Sequence, residues 1–218
     1  MLLASLVAAQ SERVAPIEPP DGAATGSKPV FQISFSGIED RDVRRARFKI
    51  ALSTDGFRSE SLVFDQRRRR SGWVPGEQGR MIFRPRKPIA DGTYEWRAWL
   101  WDGAEWTGGG DTFSLRIDTV PPAEVEGLRL SYDAERSSVF LSWQPVAFDC
   151  EGGAEYVSRY HVYRYDRGPP FPLVPAFEIG ETTAHEFAVS GEGLSGASLL
   201  VYRVVAEDDA GNVAGRRK

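Results

Sequence analysis

The stretch Ile117-Asp118-Thr119-Val120-Pro121-Pro122 divides the 218-residue chain and decides how the rest is read. Leading into it, Thr112 to Ile117 is apolar and polar by turns, the pattern of a half-buried strand. The two prolines lock φ and remove two backbone donors, so that strand cannot run through them. A second alternating run, Val125 to Leu130, starts just beyond. The chain therefore reads as two β modules of similar size on a short, stiff connector. The expected boundaries are a signal-like or disordered segment 1–13, a first module 14–118, a linker 119–122 and a second module 123–218. Each module has roughly 100 residues, enough for a core without disulfide or metal staples.

Outward from the joint, short strands alternate with turn signals. Val14 to Gly22, with Pro16, Pro19 and Pro20, reads as an irregular edge strand and a turn. Val30–Phe35 puts Phe31, Ile33 and Phe35 on one face. Arg45–Leu52 points Ala46, Phe48, Ile50 and Leu52 inward and Arg45, Arg47 and Lys49 outward. Leu62–Phe64 and Met81–Phe83 are short strands, and Asp91-Gly92 opens the clearest one, Thr93–Trp101. In the second half, Val139, Leu141 and Trp143 share a face, and Val157–Tyr165 follows the loop Cys150–Ala154. Ala176–Ile179 and Glu186–Val189 read as short strands and Leu199–Glu207 as the last long one. No apolar pattern of helical period spans three turns. The fold class is all-β, built from sandwiches.

The halves also match each other. Tyr94, Trp96, Ala98 and Leu100 before Asp102 align with Leu200, Tyr202, Val204 and Ala206 before Asp208. In both, every second residue faces a core, an internal repeat of about 100 residues. The run Asp91-Gly-Thr-Tyr-Glu-Trp-Arg97, then Trp101-Asp-Gly103 and Ile117–Pro122, resembles bacterial fibronectin type III-like modules. In the second half Leu141-Ser-Trp143, Tyr160-His-Val-Tyr-Arg164, Tyr202–Ala206 and Ala210-Gly-Asn212 carry the likeness. The resemblance implies two tandem fibronectin type III-like β-sandwiches joined by a short Pro-Pro linker. It also implies that Trp143 is a core tryptophan and Tyr94 a corner tyrosine. Two departures stand out: Ile33 takes the place of a core tryptophan in the first module, and Leu200 that of a second corner tyrosine. These are packing motifs, and the fold hosts unrelated roles.

Composition narrows the function classes. Apolar residues make up 41% of the chain, which is globular rather than disordered. The net charge of −4 divides into 18 basic and 16 acidic residues before Pro121, against 9 and 15 from there on. Neither half carries the basic excess of a nucleic-acid binder. One cysteine, Cys150, rules out an intrachain disulfide and a cysteine zinc site, and no cofactor is expected. Met1 to Ala9 looks like the end of a secretory signal without its basic start, so the protein is expected to be exported: periplasmic, cell-surface or secreted. No run reaches the ~20 apolar residues of a membrane span.

Several side chains are candidates for a site. With Tyr94, Trp96, Ala98 and Leu100 inward, Trp99 and Trp101 must point outward, joined by Trp106 from the next loop and Trp73 from an earlier one. Such a face suits a sugar ring. Equally, Arg47 and Arg97 with Arg45, Lys49 and Arg116 can stack on the indoles as a structural ladder, the reading preferred here. The tentative ligand-binding set is Trp99, Trp101, Trp106, Arg47 and Arg97. Arg67–Arg70 reads as a solvated loop. Asp208, Asp209 and Asn212, like Asp149 and Glu151, match no calcium-loop spacing, so no metal is expected. His161 and His185 have no nucleophile at motif spacing, and Gly193-Leu-Ser195-Gly lacks a nucleophile elbow, so no catalytic residue is named.

The sequence reading is a non-catalytic interaction or spacer protein with a protein or polysaccharide partner. The alternative is a carbohydrate-binding accessory protein that uses the tryptophan face. Only Val213 to Lys218 follow the turn after the last strand, so the outer edge of Leu199–Glu207 is expected to stay partly unpaired and open to strand pairing.

Overall fold

The computed structural model describes residues 14–36, 47–58, 61–65, 79–101, 106–108, 111–166, 168–190 and 200–215. Readings on residues 1–13, on Arg67–Arg70, on Trp73 and on Gly193-Leu-Ser195 lie outside these. Among the described residues the only helical element is one 3-10 turn, and no helix is long and apolar enough to cross a membrane. The chain divides into two compact units at Asp118 and Thr119.

In the first unit the strands are β1 (Val14–Glu18), β2 (Ala23–Thr25), β3 (Phe31–Phe35), β4 (Arg47–Ser53), β5 (Ser61–Asp65), β6 (Arg80–Phe83), β7 (Gly92–Trp101), β8 (Trp106–Gly108) and β9 (Phe113–Ile117). One sheet runs β1-β3-β6 and the other β2-β9-β7-β4-β5, with β8 as a hairpin arm on β7. Their inner faces meet in one core. Phe31, Ile33 and Met81 come from the first sheet; Phe48, Ile50, Leu52, Trp96, Ala98, Leu100, Leu115 and Ile117 come from the second. Trp96, with no exposed surface, stands edge-on to Phe31 and Phe113 at 5.2 and 5.7 Å between centroids. The tryptophan missing at Ile33 is thus supplied from the opposite sheet. Tyr94 closes its corner by donating its hydroxyl hydrogen to the Ala90 carbonyl at 2.9 Å.

Two strands of this unit were not legible in the sequence. Trp106 lies on β8, opposite Trp101, rather than in a loop. β2 runs parallel to β9, and two of its three residues, Ala23 and Ala24, are weak β-formers. Non-local bonds hold it there. The Asp21 carboxylate accepts from the Ser114 amide at 2.6 Å and from its hydroxyl at 2.8 Å, and the Gly22 amide donates to the Ser114 carbonyl at 3.0 Å. Those bonds to Ser114 hold the Asp21 carboxyl below its ordinary pKa.

The second unit has β10 (Arg129–Asp133), β11 (Ser138–Ser142), β12 (Val157–Tyr165), β13 (Glu178–Thr182), β14 (Glu186–Val189) and β15 (Val201–Asp208). The sheets run β10-β11-β14 and β13-β12-β15. Between them lie Leu141, Trp143, Tyr160, Val162, Val189, Tyr202, Val204 and Ala206, with Trp143 edge-on to Tyr160 at 5.4 Å. The chain is therefore all-β, with two fibronectin type III-like sandwiches in tandem.

The alternating run Val125–Leu130 does not form the expected strand. Gly127 takes φ +67°, the Glu126 carbonyl accepts from the Gln144 amide at 3.0 Å, and pairing begins only at Arg129. Val125 and Leu128 still pack on the core, which is what their alternation recorded. Residues 119–122 are bonded into this unit, through Cys150 N–H to the Pro121 carbonyl and the Asn212 side-chain amide to the Val120 carbonyl. Ala176 sits in the 3-10 turn Pro175–Phe177, and β13 starts two residues later.

The Gly168–Pro172 break forms a second, outer core. Phe171, Leu173 and Phe177 fold onto Tyr163, Tyr165 and Val205 on the face of the β12–β15 sheet turned away from Trp143. Tyr165 is 5.1 Å from both Phe171 and Phe177, and its hydroxyl donates to the Pro172 carbonyl at 3.0 Å.

Candidate binding face

Strand alternation on β7 buries Trp96, Ala98 and Leu100 and turns Arg97, Trp99 and Trp101 to the outer face of the six-strand sheet. Register then chooses their neighbours. Lys49 of β4 stands opposite Trp99, Arg47 opposite Trp101, and Trp106 of β8 opposite Trp101 on the other side. The Arg47 side chain lies outside the described residues. The other four predicted members come together in a continuous ladder. Trp101 and Trp106 meet edge to face at 5.7 Å, and the Lys49 ammonium lies 4.0 Å from the Trp99 ring and 5.7 Å from Trp106. Phe57 closes on Trp99 at 5.9 Å, and the Arg97 guanidinium covers Phe57 at 4.6 Å while Nε donates to the Thr112 hydroxyl.

Phe57 was missed by sequence reasoning. It sits in the turn after β4 at φ +66°, an uncommon backbone for a bulky residue. Buried Ser53 holds that turn: its hydroxyl oxygen accepts from the Phe57 amide at 2.7 Å and from the Asp55 amide at 3.1 Å. Cations thus already occupy the aromatic faces at Trp99 and Phe57. Each such contact is worth about 0.5–1 kcal/mol at an exposed site. Trp99 and Trp101 are half-buried and Trp106 is 39% exposed, the most open ring of the ladder's tryptophans.

The second unit carries a charged cluster that the sequence reading passed over. Arg159 and His161 alternate outward on β12; Glu207 comes from β15, and Glu178 and Glu181 from β13. The His161 ring bridges two carboxylates, with Nδ1 2.7 Å from Glu178 and Nε2 2.6 Å from Glu207. Arg159 reaches Glu181 at 2.9 Å and Glu207 at 3.5 Å. Burial of His161 works against its charged form, but the hydrogen bonds and negative charges of Glu178 and Glu207 outweigh it and raise the imidazole pKa. The hydrogen bond and charge of Arg159 hold Glu181 below its ordinary carboxyl pKa. His161, Glu178 and Glu181 bring three donor atoms within 4.8 Å of one another. A cation there would have to displace Arg159 from Glu181, and both His161 nitrogens are engaged. The arrangement is suited to holding a proton. The signal for it was the spacing of Arg159, His161 and Glu207 on outward positions of neighbouring strands.

The remaining carboxylate candidates close turns. Buried Asp208 accepts from the Asn212 amide and from its side chain, both at 2.8 Å. Asp149 accepts from the Glu151 and Gly153 amides, also at 2.8 Å. His185 is exposed, its ring edge-on to Tyr160 at 5.7 Å.

Against solved structures, the chain is similar to the chicken CNTN1 FN1–FN3 domains, with TM-score 0.50 and 13% identity over 90% of this chain. The fold is a tandem of fibronectin type III-like sandwiches. It spans 63% of the length of that CNTN1 structure. Fibronectin(III)-like modules of CbhA from Clostridium thermocellum also match, at TM-score 0.46 and 11% identity over 92% of this chain and 88% of theirs. No protein-family model matches the sequence, and no curated protein matches it.

Proposed function

We propose that this fibronectin type III-like tandem is a non-catalytic interaction or spacer protein working outside the cytoplasm. One observation carries the reading: among the described residues, cations on the outer sheet faces are engaged by aromatic rings or carboxylates of their own unit. Lys49 and Arg97 cover Trp99 and Phe57, and Arg159 and His161 are held by Glu178, Glu181 and Glu207. Such ladders stiffen a sheet. The signal-like run Leu2 to Ala9 supports export.

A second reading, carbohydrate binding, is favoured by the exposure of Trp106 beside Trp101. A glycan array with the purified protein separates the two. The interaction or spacer reading predicts no saturable glycan signal that depends on Trp99 and Trp101. Saturable binding that is lost in Trp99→Ala plus Trp101→Ala, with the variant still folded by NMR, would overturn it in favour of a carbohydrate-binding accessory protein.

A further inference from the structure

The outer core of the second unit lies under one strap of chain, Gly168 to Phe177, which follows β12 and runs into β13 at Glu178. Two polar ties hold its first half: the Tyr165 hydroxyl donates to the Pro172 carbonyl at 3.0 Å, and Arg203 donates to the Phe171 carbonyl at 3.4 Å. Its second half is the 3-10 turn Pro175–Phe177, in which no residue is buried. Glu178 ends that turn, its amide donating to the Pro175 carbonyl. The β12–β13 ladder reaches Glu178 only past a register shift beside Tyr163, so the backbone grip there is weak. The Glu178 side chain adds a second grip, on His161 at 2.7 Å. His161 stands on the same outward row of β12 as Tyr163 and Tyr165, the two rings beneath the strap.

We propose that His161, Glu178 and Glu207 form a proton-operated latch: with hydrogens on both ring nitrogens the strap is shut over Tyr163 and Tyr165, and loss of one frees its Glu178 end. The geometry requires two donors, because Nδ1 and Nε2 each meet a carboxylate oxygen, at 2.7 and 2.6 Å. A neutral imidazole has one N–H, so one carboxylate is then left facing a ring lone pair. Glu207 cannot withdraw, since β15 is bonded to β12 at Arg159 on one side and to Val213 on the other. Glu178, on an edge strand at the end of the strap, can. Among the described residues the charged groups around the ring are Arg159 of β12, Glu178 and Glu181 of β13 and Glu207 of β15; the strap itself has no charged side chain. Protonated, His161 joins Arg159 against these three carboxylates; neutral, it leaves Arg159 alone against them. Burial of His161 opposes its charge, but the two glutamates together raise its pKa while the strap is shut. The tie is therefore complete below the pKa that His161 has with the strap open, and is lost as pH climbs through the raised value. The latch goes beyond the interaction or spacer reading and does not rest on it.

The test is amide exchange of the whole protein, followed by NMR at about pH 5.5 and about pH 8.5, with each rate referred to that of an unstructured chain at the same pH. The Phe177 and Glu178 amides, which bond within the strap to the Val174 and Pro175 carbonyls, should be less protected than Val205 of β15 at both pH values. Their protection should fall by at least about threefold between the two, the effect of half a pK unit. In Glu178→Gln and in His161→Gln the fall should be smaller than that. Glu178→Gln is the stricter variant, because it leaves His161 with Glu207 and Arg159 and so keeps any general effect of the imidazole charge. Equal protection of Phe177, Glu178 and Val205 at both pH values would overturn the proposal, since the strap would then open only with the whole sandwich. So would a fall below about threefold in the parent protein, or one of the parent's size in Glu178→Gln.

Discussion

Replacing Trp143 with alanine probes the second sandwich at its centre. The side chain is 6% exposed and stands edge-on to Tyr160, with Leu141, Val162, Tyr202 and Val204 in the same cluster. Those neighbours belong to paired strands of both sheets, β11 on one side and β12–β15 on the other, so they cannot move in to refill the space. Truncation should therefore cost the full large-to-small penalty, about 3–5 kcal/mol. Against a domain stability of about 5–15 kcal/mol that is a large share. At roughly 4–8 °C per kcal/mol for a domain of this size, the melting temperature of the second unit should fall by about 12–40 °C. Urea titration read on NMR peaks of second-unit amides, such as those of His161 and Val205, isolates this unit from the first. A loss under about 1 kcal/mol, with an unchanged denaturant slope, would refute the packing argument.

Three further outcomes follow from the described contacts. Lys49→Ala uncovers Trp99 and should lower first-unit stability by about 0.5–1 kcal/mol, read by urea titration of first-unit amides. No change there would mean that the ammonium–indole contact is not populated. Tyr94→Phe removes the corner bond to the Ala90 carbonyl and should cost about 0.5–1.5 kcal/mol, with the same core shifts otherwise retained. His161 gives the second unit a pH dependence. Its folded pKa is raised above the unfolded value of about 6.5, so its contribution is complete below about pH 6.5 and is lost as pH climbs through the folded value. Unfolding compared at about pH 5.5 and about pH 8.5 should show that loss in the parent protein and much less of it in His161→Gln. A dependence of equal size in the variant would assign it to other groups.

Much of the fold was legible because it is written in local alternation. Val157–Tyr165 and Glu186–Val189 form strands with those same limits, and the partners of Trp143 were all readable from period-two patterning on three strands. What escaped depends on contacts far apart in sequence. β2 exists because Asp21 and Gly22 bond to Ser114, and three small residues carry no periodicity to announce it. The Val125–Leu130 run shows the converse: alternation reported burial of Val125 and Leu128 correctly, yet Gly127 and the bond from Gln144 keep that backbone out of a ladder. The Pro-rich break at Gly168 looked like an interruption, and only the folded chain shows Phe171 and Phe177 returning to Tyr165.

The candidate face was half legible. Outward placement of Trp99 and Trp101 follows from the burial of Trp96, Ala98 and Leu100. The identity of the cation over Trp99, Lys49 rather than an arginine, depends on the β4–β7 register. Likewise His161 looked inert beside the nucleophiles it lacked, because Glu178 and Glu207 reach it only across strand pairings 17 and 46 residues away.

Two sandwiches, each with its own core, make up the described chain. Expressing residues 14–118 and 119–218 separately, and comparing their amide NMR spectra with that of the whole protein, checks whether each folds on its own core. Core amides such as those of Trp96, Leu115, Val162 and Val204 should keep their whole-chain positions in the separate pieces. Collapsed, poorly dispersed spectra from both pieces, with a well-dispersed spectrum from the whole chain, would contradict it.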